Sequence, residues 1–264
     1  MTGANYLLET KNTRILVDCG LIQGGNYSEK INFQDFPYDP RDIDAVLITH
    51  AHIDHIGRLP MLYRAGFRGE VFSTPPTKDI AEFLLFDSEH ILSEEAVHFG
   101  NQKPYDSSDV IGLLGLWRKH FYHDLLQFKD CKIQFFNAGH ILGSASILLT
   151  TEGKKIVFSG DLGNMPDPFL KETEKTKEAD YALVESAYGG RLHENLAERK
   201  NILEDLVEET AEAGGVLMIP AFALERTQEL LFEINDLVEN NRIPRIPVFV
   251  DSPLAIKLTH VYQK

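Results

Sequence analysis

The 264-residue sequence predicts an α/β fold, and three patterns along the chain support that prediction. Short apolar runs such as "RILVDCG" and "DAVLITH" have the length and continuity of buried strands. Longer segments such as "KDIAEFLLFDSEHIL" carry apolar residues at the spacing of an amphipathic helix. After about residue 194 strand and helix patterns alternate, which favours a parallel sheet.

The composition is that of an ordinary globular protein, with 43% hydrophobic and 25% charged residues. The length accommodates one large α/β domain, or one domain and part of a second. The formal net charge of −14 argues against a protein that coats nucleic acid, because such proteins present a broad basic face. It is neutral for a metal-dependent nuclease, since bound metal ions supply positive charge locally.

Cysteine content and hydropathy predict a cytoplasmic protein with no membrane partner. Cys19 and Cys131 give neither a disulfide framework nor a cysteine-pair zinc site, so we expect two buried thiols in a reducing compartment. No apolar run approaches the ~20 residues of a membrane span. The N-terminal stretch "MTGANYLLET" lacks the pattern of a signal peptide.

The first half of the chain predicts strands and helices in turn. The strands are "NYLLET" and "TRILVDCG", joined by the turn "KN", and then "IDAVLITH" and "GEVFST". One helix is predicted in "GRLPMLYRAG", where Gly66 ends it, and a second in "PTKDIAEFLLFDSEHILSEEA". A third helix is predicted in "SSDVIGLLGLWRKHF", capped by Ser107 or Ser108.

The second half predicts a run of strands and then the alternating section. The strands are "CKIQFFNAGH", "ASILLTT", "KKIVFSGD" and "ADYALVES", with the turn signal "EGKK" between the second and third. The helices "ENLAERKNILEDLVEETAEAGG", "ERTQELLFEINDLVE" and "SPLAIKLTHVYQK" then alternate with the strands "VLMIP" and "IPVFVD". Because no flexible linker occurs, a domain boundary near residue 190 is predicted to be compact.

The segment "ITHAHIDHIG" places metal-ligand side chains directly behind the apolar run "DAVLI". His50 and His52 lie two residues apart on one loop and can face a single ion. Asp54 and His55 can serve a second ion beside it. Four ligand-type residues at this spacing are rare by chance, so a metal site is the favoured interpretation.

Further strand exits supply the ligands that a pair of ions would still need. His140 follows "KIQFF" and Asp161 follows "KKIVF", each between glycines that let the backbone turn into a crowded site. Asp161 suits a bridging carboxylate, and Asp18 suits an acceptor that orients a ligand histidine. These ligand types suit zinc first and manganese second. Other histidines are predicted to be surface or core residues: His90, His98, His120, His123 and His260.

The motifs "THAHIDHIG", "AGHILGSAS", "FSGDLG" and "ILVDCG" resemble the successive motifs of the metallo-β-lactamase superfamily. Three later segments, "ADYALVESAYGGRLH", "IPAFALERTQELL" and "VFVDSPLAIKLTHVY", are similar to its β-CASP branch. The resemblance implies an αββα metallo-β-lactamase sandwich over residues 1–190. Residues 191–264 would form the N-terminal, incomplete part of an inserted β-CASP α/β domain.

The resemblance also implies a ligand set and its supporting residues. It assigns His50, His52 and His140 to one Zn²⁺. It assigns Asp54, His55 and the bridging Asp161 to the other. Asp18, Asp54 and Glu185 would be catalytic, and Glu185 would act by supporting the site. Because "LVES" is too apolar for a surface strand, we expect Glu185 not to be a solvent-exposed strand-end acid. Tyr188 and Arg191 would face the substrate.

The function that the resemblance implies is a zinc-dependent ribonuclease. Two zinc ions would activate a hydroxide for in-line attack on the phosphodiester of RNA, or of single-stranded DNA. Small esters, thioesters or lactams are the substrates of other hydrolases with this fold. The inserted segment argues against such a substrate, because a small-substrate enzyme does not need it.

The sequence departs from the family pattern at both ends, and we expect a chain that is truncated there. It carries the six upstream ligands but no match for the family's later histidines, one of which is thought to protonate the leaving group. A fragment, a truncated gene product and a subunit completed by another chain are the alternatives, and a non-catalytic partner subunit is a rival function. A homodimer is the oligomeric state that the family suggests. The intact upstream ligands argue against the non-catalytic subunit.

Overall fold

The computed structural model describes residues 3–24, 31–100, 102–163, 170–176, 178–190 and 196–264. Contacts divide the chain into two units, the first ending at Ala187 and the second running from Tyr188 to Lys264. This division lies close to the predicted boundary between domains 1–190 and 191–264, which stays a prediction. Both β-sheets belong to the first unit.

The first sheet has the strand order β1-β2-β3-β4-β5. β1 and β2 form the predicted antiparallel hairpin, and the following strands add in parallel. The strands are β1 (Tyr6–Glu9), β2 (Arg14–Val17), β3 (Ala45–Leu47), β4 (Glu70–Ser73) and β5 (Trp117–Lys119).

The second sheet has the order β10-β9-β8-β7-β6. Its pairs are antiparallel except for β10, which runs parallel to β9. The predicted turn between β8 and β9 is confirmed, since Glu152 and Gly153 have φ angles of 49° and 73°. The strands are β6 (Leu126–Phe128), β7 (Cys131–Asn137), β8 (Ala145–Thr151), β9 (Lys154–Phe158) and β10 (Tyr181–Leu183).

The core of the first unit lies between the two sheets. Alternate side chains of β2, β3 and β4 meet alternate side chains of β7, β8 and β9. Both predicted thiols, Cys19 and Cys131, are free and buried. The buried residues of this cluster are Ile15, Val17, Ala45, Leu47, Phe72, Cys131, Ile133, Phe135, Ala145, Ile147, Leu149 and Phe158.

The described helices of the first unit follow the strands of the first sheet. They are α1 (Ile53–Ile56), α2 (Leu59–Arg64), α3 (Pro75–Phe99) and α4 (Ser107–Leu116). The far faces of β2, β3 and β4 are also apolar and fully buried at Leu16, Val46 and Val71. Burial on both faces is typical of a parallel sheet with a helical layer, and it confirms the predicted α/β class.

The predicted helix over "SSDVIGLLGLWRKHF" is wrong at both of its ends. Asp106, not Ser107 or Ser108, caps α4, because its carboxylate accepts from Ser108 N while Asp109 reaches back to Asp106 N. The helix stops at Leu116, since Trp117 is extended and begins β5. Pairing with β4 and burial of the indole outweigh the helical pattern there.

The second unit contains α5 (Leu196–Glu212), α6 (Arg226–Glu239) and α7 (Pro253–Tyr262). Val207 of α5 and Leu237 of α6 form a small buried core with Ile243. The predicted strands "VLMIP" and "IPVFVD" are wrong, because neither pairs with another strand in the described part of this unit. Most of their apolar side chains face solvent, Phe249 being 87% exposed, although Leu217 and Ile246 pack against the small core. A strand exists only through its ladder partner, and alternation alone does not supply one.

Among the described residues, no helix combines the length and the apolar character that crossing a membrane requires.

Candidate metal centre

The predicted ligands lie where strands of both sheets end. His50 follows β3 of the first sheet, while His140 and Asp161 follow β7 and β9 of the second. The backbone joins the two sheets at this edge, because Ala145 N donates to Thr49 O at 2.7 Å. Residues 90 positions apart in the sequence therefore meet at one place.

Three imidazole rings and one carboxylate converge at this edge. His52 Nδ1 lies 3.1 Å from both His50 Nε2 and His140 Nε2. Asp161 Oδ2 lies 3.9 Å from His50 Nε2 and 3.8 Å from His140 Nε2. One ligand atom from each of the four residues lies within 4.8 Å of the others. We call these four residues the histidine cluster.

A second set of ligand atoms lies beside the histidine cluster. His55 Nε2 is 3.4 Å from Asp161 Oδ1 and 3.9 Å from Asp54 Oδ2. The two oxygens of Asp161 therefore face different sets, Oδ2 the histidine cluster and Oδ1 the pair Asp54 and His55. This is the arrangement that a bridging carboxylate requires.

The three histidines of the cluster are held neutral. Burial lowers the pKa of His50 well below its ordinary value, and the neighbouring histidines lower it further. Burial likewise lowers the pKa of His52 to about 3 and lowers that of His140. A neutral imidazole presents a nitrogen lone pair, which is the form that coordinates a metal ion.

His55 shows that the second set lies in a strongly negative environment. Burial lowers the pKa of His55, but the carboxylates of Asp18 and Asp161 outweigh it and raise that pKa to about 10. Burial also raises the pKa of Asp54, which His55 opposes and Asp161 reinforces. Carboxylates in such surroundings favour a positive charge between them, and a divalent cation supplies one.

The donor chemistry of these residues fits a divalent metal. At most one proton can sit between any two of the three converging nitrogens, so hydrogen bonds alone cannot satisfy all of them. A cation with imidazole and carboxylate ligands satisfies every lone pair, and this donor set is typical of zinc. The residues present therefore form a cluster that could bind metal.

Asp18 lies behind the predicted ligands. Its Oδ1 accepts from Thr49 N at 2.8 Å, and its Oδ2 accepts from the Thr49 hydroxyl at 2.8 Å. Oδ2 also lies 2.8 Å from His55 Nδ1. With Nδ1 directed at Asp18, the Nε2 of His55 faces Asp54 and Asp161.

Glu185 braces the loop that carries Asp161. Its carboxylate accepts from Leu162 N at 3.3 Å and from Ala187 N at 2.7 Å. The expectation that "LVES" is too apolar to lie at the surface is wrong, since Val184 is 62% exposed. The half-buried state of Glu185 comes from its contacts with the Asp161 loop and not from a buried strand.

The two predicted substrate-facing residues have different outcomes. Tyr188 is exposed, at the first position of the second unit. Arg191 lies outside the described residues. Both assignments stay predictions.

Two features of the site escaped the sequence interpretation. Thr49 has a buried hydroxyl among Asp18, His50 and His55, and its signal was its place directly before His50. Gly163 approaches the His140 loop so closely that a Cβ there would lie 1.5 Å from Gly139 O. Such a contact between two loops has no local sequence pattern.

The histidines excluded as ligands lie outside the histidine cluster. His90 Nε2 lies 3.6 Å from Glu94 Oε1, and His123 Nε2 lies 3.3 Å from Glu174 Oε1. His120 Nε2 lies 3.0 Å from the carbonyl oxygen of Asp124. The ring nitrogens of these three histidines contact nearby surface groups and not the cluster.

Three of the curated relatives illustrate what this chain resembles. A ribonuclease of Thermus thermophilus is 38% identical over 264 residues, which cover 100% of this chain and 58% of the relative. Transcription termination factor FttA of Methanosarcina mazei is 34% identical, with 97% of this chain and 41% of the relative covered. Cleavage and polyadenylation specificity factor subunit 3 of Dictyostelium discoideum is 33% identical, with 97% and 33% covered. The chain therefore spans only part of the length of each relative.

Two family domains match the sequence and agree with the site. Residues 7–186 match the metallo-beta-lactamase superfamily domain, which includes every residue of the histidine cluster. Residues 227–264 match the Beta-Casp domain. The chain therefore belongs to the metallo-β-lactamase superfamily, in its β-CASP branch.

Proposed function

We propose that this protein is a zinc-dependent phosphodiester hydrolase that cleaves RNA. The observation that carries the proposal is the convergence of His50, His52 and His140 with Asp161, whose second oxygen faces His55. The ribonuclease among the relatives supports RNA as the substrate. Single-stranded DNA is the alternative nucleic acid substrate.

Two Zn²⁺ ions fit the two ligand sets. His50, His52 and His140 would hold one ion, Asp54 and His55 the other, and Asp161 would bridge them. Zinc, when bound, supplies Lewis acidity toward phosphate oxygens and lowers the pKa of water. Manganese is the second choice for the same ligands.

The chain's own residues position this chemistry. Asp18 accepts a hydrogen bond from His55 Nδ1–H and thereby turns His55 Nε2 toward the second ligand set. The Glu185 carboxylate holds Leu162 N and fixes the backbone directly after Asp161. Asp54 is buried beside His55, with Oδ2 3.9 Å from His55 Nε2, and its carboxylate would take a proton from an attacking water.

The formal charge of −14 does not oppose an RNA substrate. The field at a scissile phosphate is governed by the nearest charges, which would be two dications. We also keep a cytoplasmic location as a proposal, supported by the two free, buried thiols Cys19 and Cys131.

Zinc content and RNA cleavage, measured on one sample, test the proposal. Plasma mass spectrometry should find about two zinc ions per chain, as expected for a two-metal hydrolase. The sample should cleave a labelled RNA and leave a chromogenic lactam intact. His52→Ala should lose zinc and cleavage, whereas His90→Ala, on an exposed helical face, should keep both.

Other outcomes separate the alternatives. Lactam hydrolysis without RNA cleavage would point to a small-substrate hydrolase. RNA binding without cleavage, at full zinc content, would point to a non-catalytic subunit or to an activity that needs a complementing chain. Either result would overturn the proposed ribonuclease activity of this chain.

A further inference from the structure

Thr49 lies between the end of β3 and the first predicted ligand, and only 1% of its surface is exposed. Its main chain is held on both sides, because its N–H donates to Asp18 Oδ1 and its carbonyl accepts from Ala145 N. Ala145 begins β8, so Thr49 connects the two sheets at the metal-site edge. The hydroxyl is therefore held in one place.

The Thr49 hydroxyl lies among three polar groups of the site. Its Oγ1 is 2.8 Å from Asp18 Oδ2, 3.1 Å from His50 Nδ1 and 3.4 Å from His55 Nδ1. A hydroxyl has one proton to donate and two lone pairs that accept. An ionised carboxylate can only accept, so the hydroxyl proton goes to Asp18. Its lone pairs remain to accept from an imidazole.

These donor and acceptor roles determine the tautomer of His50. His50 Nε2 faces His52 Nδ1, and it can offer a lone pair there only if the imidazole proton resides on Nδ1. The Nδ1 proton then points to Thr49 Oγ1. His55 Nδ1 lies closer to Asp18 Oδ2, at 2.8 Å, so Asp18 orients His55 directly.

We propose that Thr49 is a positioning residue that holds His50 in its Nδ1-protonated tautomer. Through it, Asp18 orients one histidine of each ligand set: His55 by direct contact, and His50 through the Thr49 hydroxyl. This inference rests on the proposed metal centre. With valine at position 49 the shape is kept, but the buried His50 Nδ1–H loses its acceptor and the ring can turn Nε2 away from the cluster.

Competition with a chromophoric chelator measures zinc affinity in the full chain and its variants. Thr49→Val should lower affinity about 10–100-fold, chiefly for one of the two ions, as outer-sphere substitutions do. Thr49→Ser keeps the hydroxyl and should bind zinc like the unaltered protein. Thr13→Val is the matched control, because it removes a buried hydroxyl that donates to the Asp130 carboxylate at the opposite end of β2.

The tautomer itself can be observed without any substitution. A long-range ¹H–¹⁵N NMR spectrum of the zinc-loaded protein should show His50 protonated at Nδ1 and not at Nε2. Protonation at Nε2 would overturn the inference. So would unchanged zinc affinity in Thr49→Val, or a loss in Thr49→Ser equal to that in Thr49→Val.

The same samples separate this inference from the proposed function. If the unaltered protein binds zinc but leaves RNA intact, the ribonuclease proposal fails, while the titrations still decide the role of Thr49. If the unaltered protein binds no zinc, both proposals fail together.

Discussion

The carboxylate of Asp18 accepts three hydrogen bonds. The backbone of Asp18 has a φ of 59°, in the left-handed region that residues other than glycine rarely adopt. Such a conformation costs on the order of 1–3 kcal/mol and persists only where surrounding contacts hold it. Here the contacts are Thr49 N, the Thr49 hydroxyl and His55 Nδ1. The backbone strain is coupled to the orientation of a predicted ligand.

Asp18→Asn should weaken zinc binding by about 10–100-fold, because the amide keeps one acceptor oxygen and replaces the other by an NH₂ donor. In one orientation the NH₂ group would face the Thr49 N–H. In the other it would face the Thr49 hydroxyl and His55 Nδ1. Chelator competition measures the loss. Asp130→Asn, which alters a carboxylate that also accepts from two threonine hydroxyls, should leave zinc affinity unchanged. Equal affinity in Asp18→Asn and the unaltered protein would contradict the orienting role.

At the scale of elements, the site depends on two loops that touch. Gly163 N donates to Ala138 O at 2.9 Å, which brings the loop after β9 against the loop after β7. Gly160, directly before Asp161, has a φ of 56° and turns the chain into the site. The expectation that glycines shape these turns is confirmed for Gly160, whereas the approach at Gly163 comes from the pairing of distant loops.

Gly163→Ala should separate the His140 and Asp161 loops, since its Cβ would lie 1.5 Å from Gly139 O. Backbone displacement of this kind costs about 1–3 kcal/mol or more, and zinc affinity should fall with it. Urea unfolding and chelator competition measure the two effects. Gly115→Ala, inside α4 with nothing within 4 Å of the new Cβ, should instead raise stability by about 0.5–1 kcal/mol. Loss of stability in both variants would count against the loop contact.

The strand β5 shows tertiary pairing overriding a helical pattern. Trp117 is buried, and its Nε1–H donates to Ser73 Oγ of β4 at 2.8 Å. The apolar spacing in "LLGLW" favours a helix, but the extended backbone at Trp117 exposes donors and acceptors that β4 satisfies. The decisive partner lies 44 residues away, and no local window contains it.

Trp117→Phe should lower the free energy of unfolding by about 1–3 kcal/mol, from the lost hydrogen bond and the smaller ring. Urea denaturation followed by far-ultraviolet circular dichroism measures it. The control is Phe121→Leu, because Phe121 is 64% exposed and its truncation should change stability little. A loss in Phe121→Leu as large as that in Trp117→Phe would mean that burial of the indole is not the cause.

At the scale of the molecule, the candidate metal centre joins the two sheets of the first unit. His50 and Asp54 follow β3 of the first sheet, whereas His140 and Asp161 follow β7 and β9 of the second. An ion held by ligands from both sheets binds the folded state and not the unfolded chain. Metal binding should therefore contribute directly to stability.

Removal of metal should lower the thermal stability of the protein. At free zinc of about 100 times the dissociation constant, bound zinc adds about 2.7 kcal/mol per site. Scanning calorimetry with and without a chelator measures the change, and re-addition of zinc should restore it. The effect of the chelator should be smaller in His52→Ala, which lacks one ligand of the histidine cluster. A melting temperature that is identical with and without chelator would contradict metal binding between the sheets.

The sequence alone determined the α/β class, the strand exits and the identity of the predicted ligands. It could do so because the buried runs and the spacing in "HAHIDH" are local chemistry that each segment carries with it. Only the tertiary structure decided that Trp117 begins a strand, that "VLMIP" pairs with no described strand, and that Gly163 touches the His140 loop. It also decided that the hydroxyl of Thr49 joins Asp18 to His50. These are contacts between segments far apart in the chain, and pairing energy between distant segments leaves no periodic trace in either one.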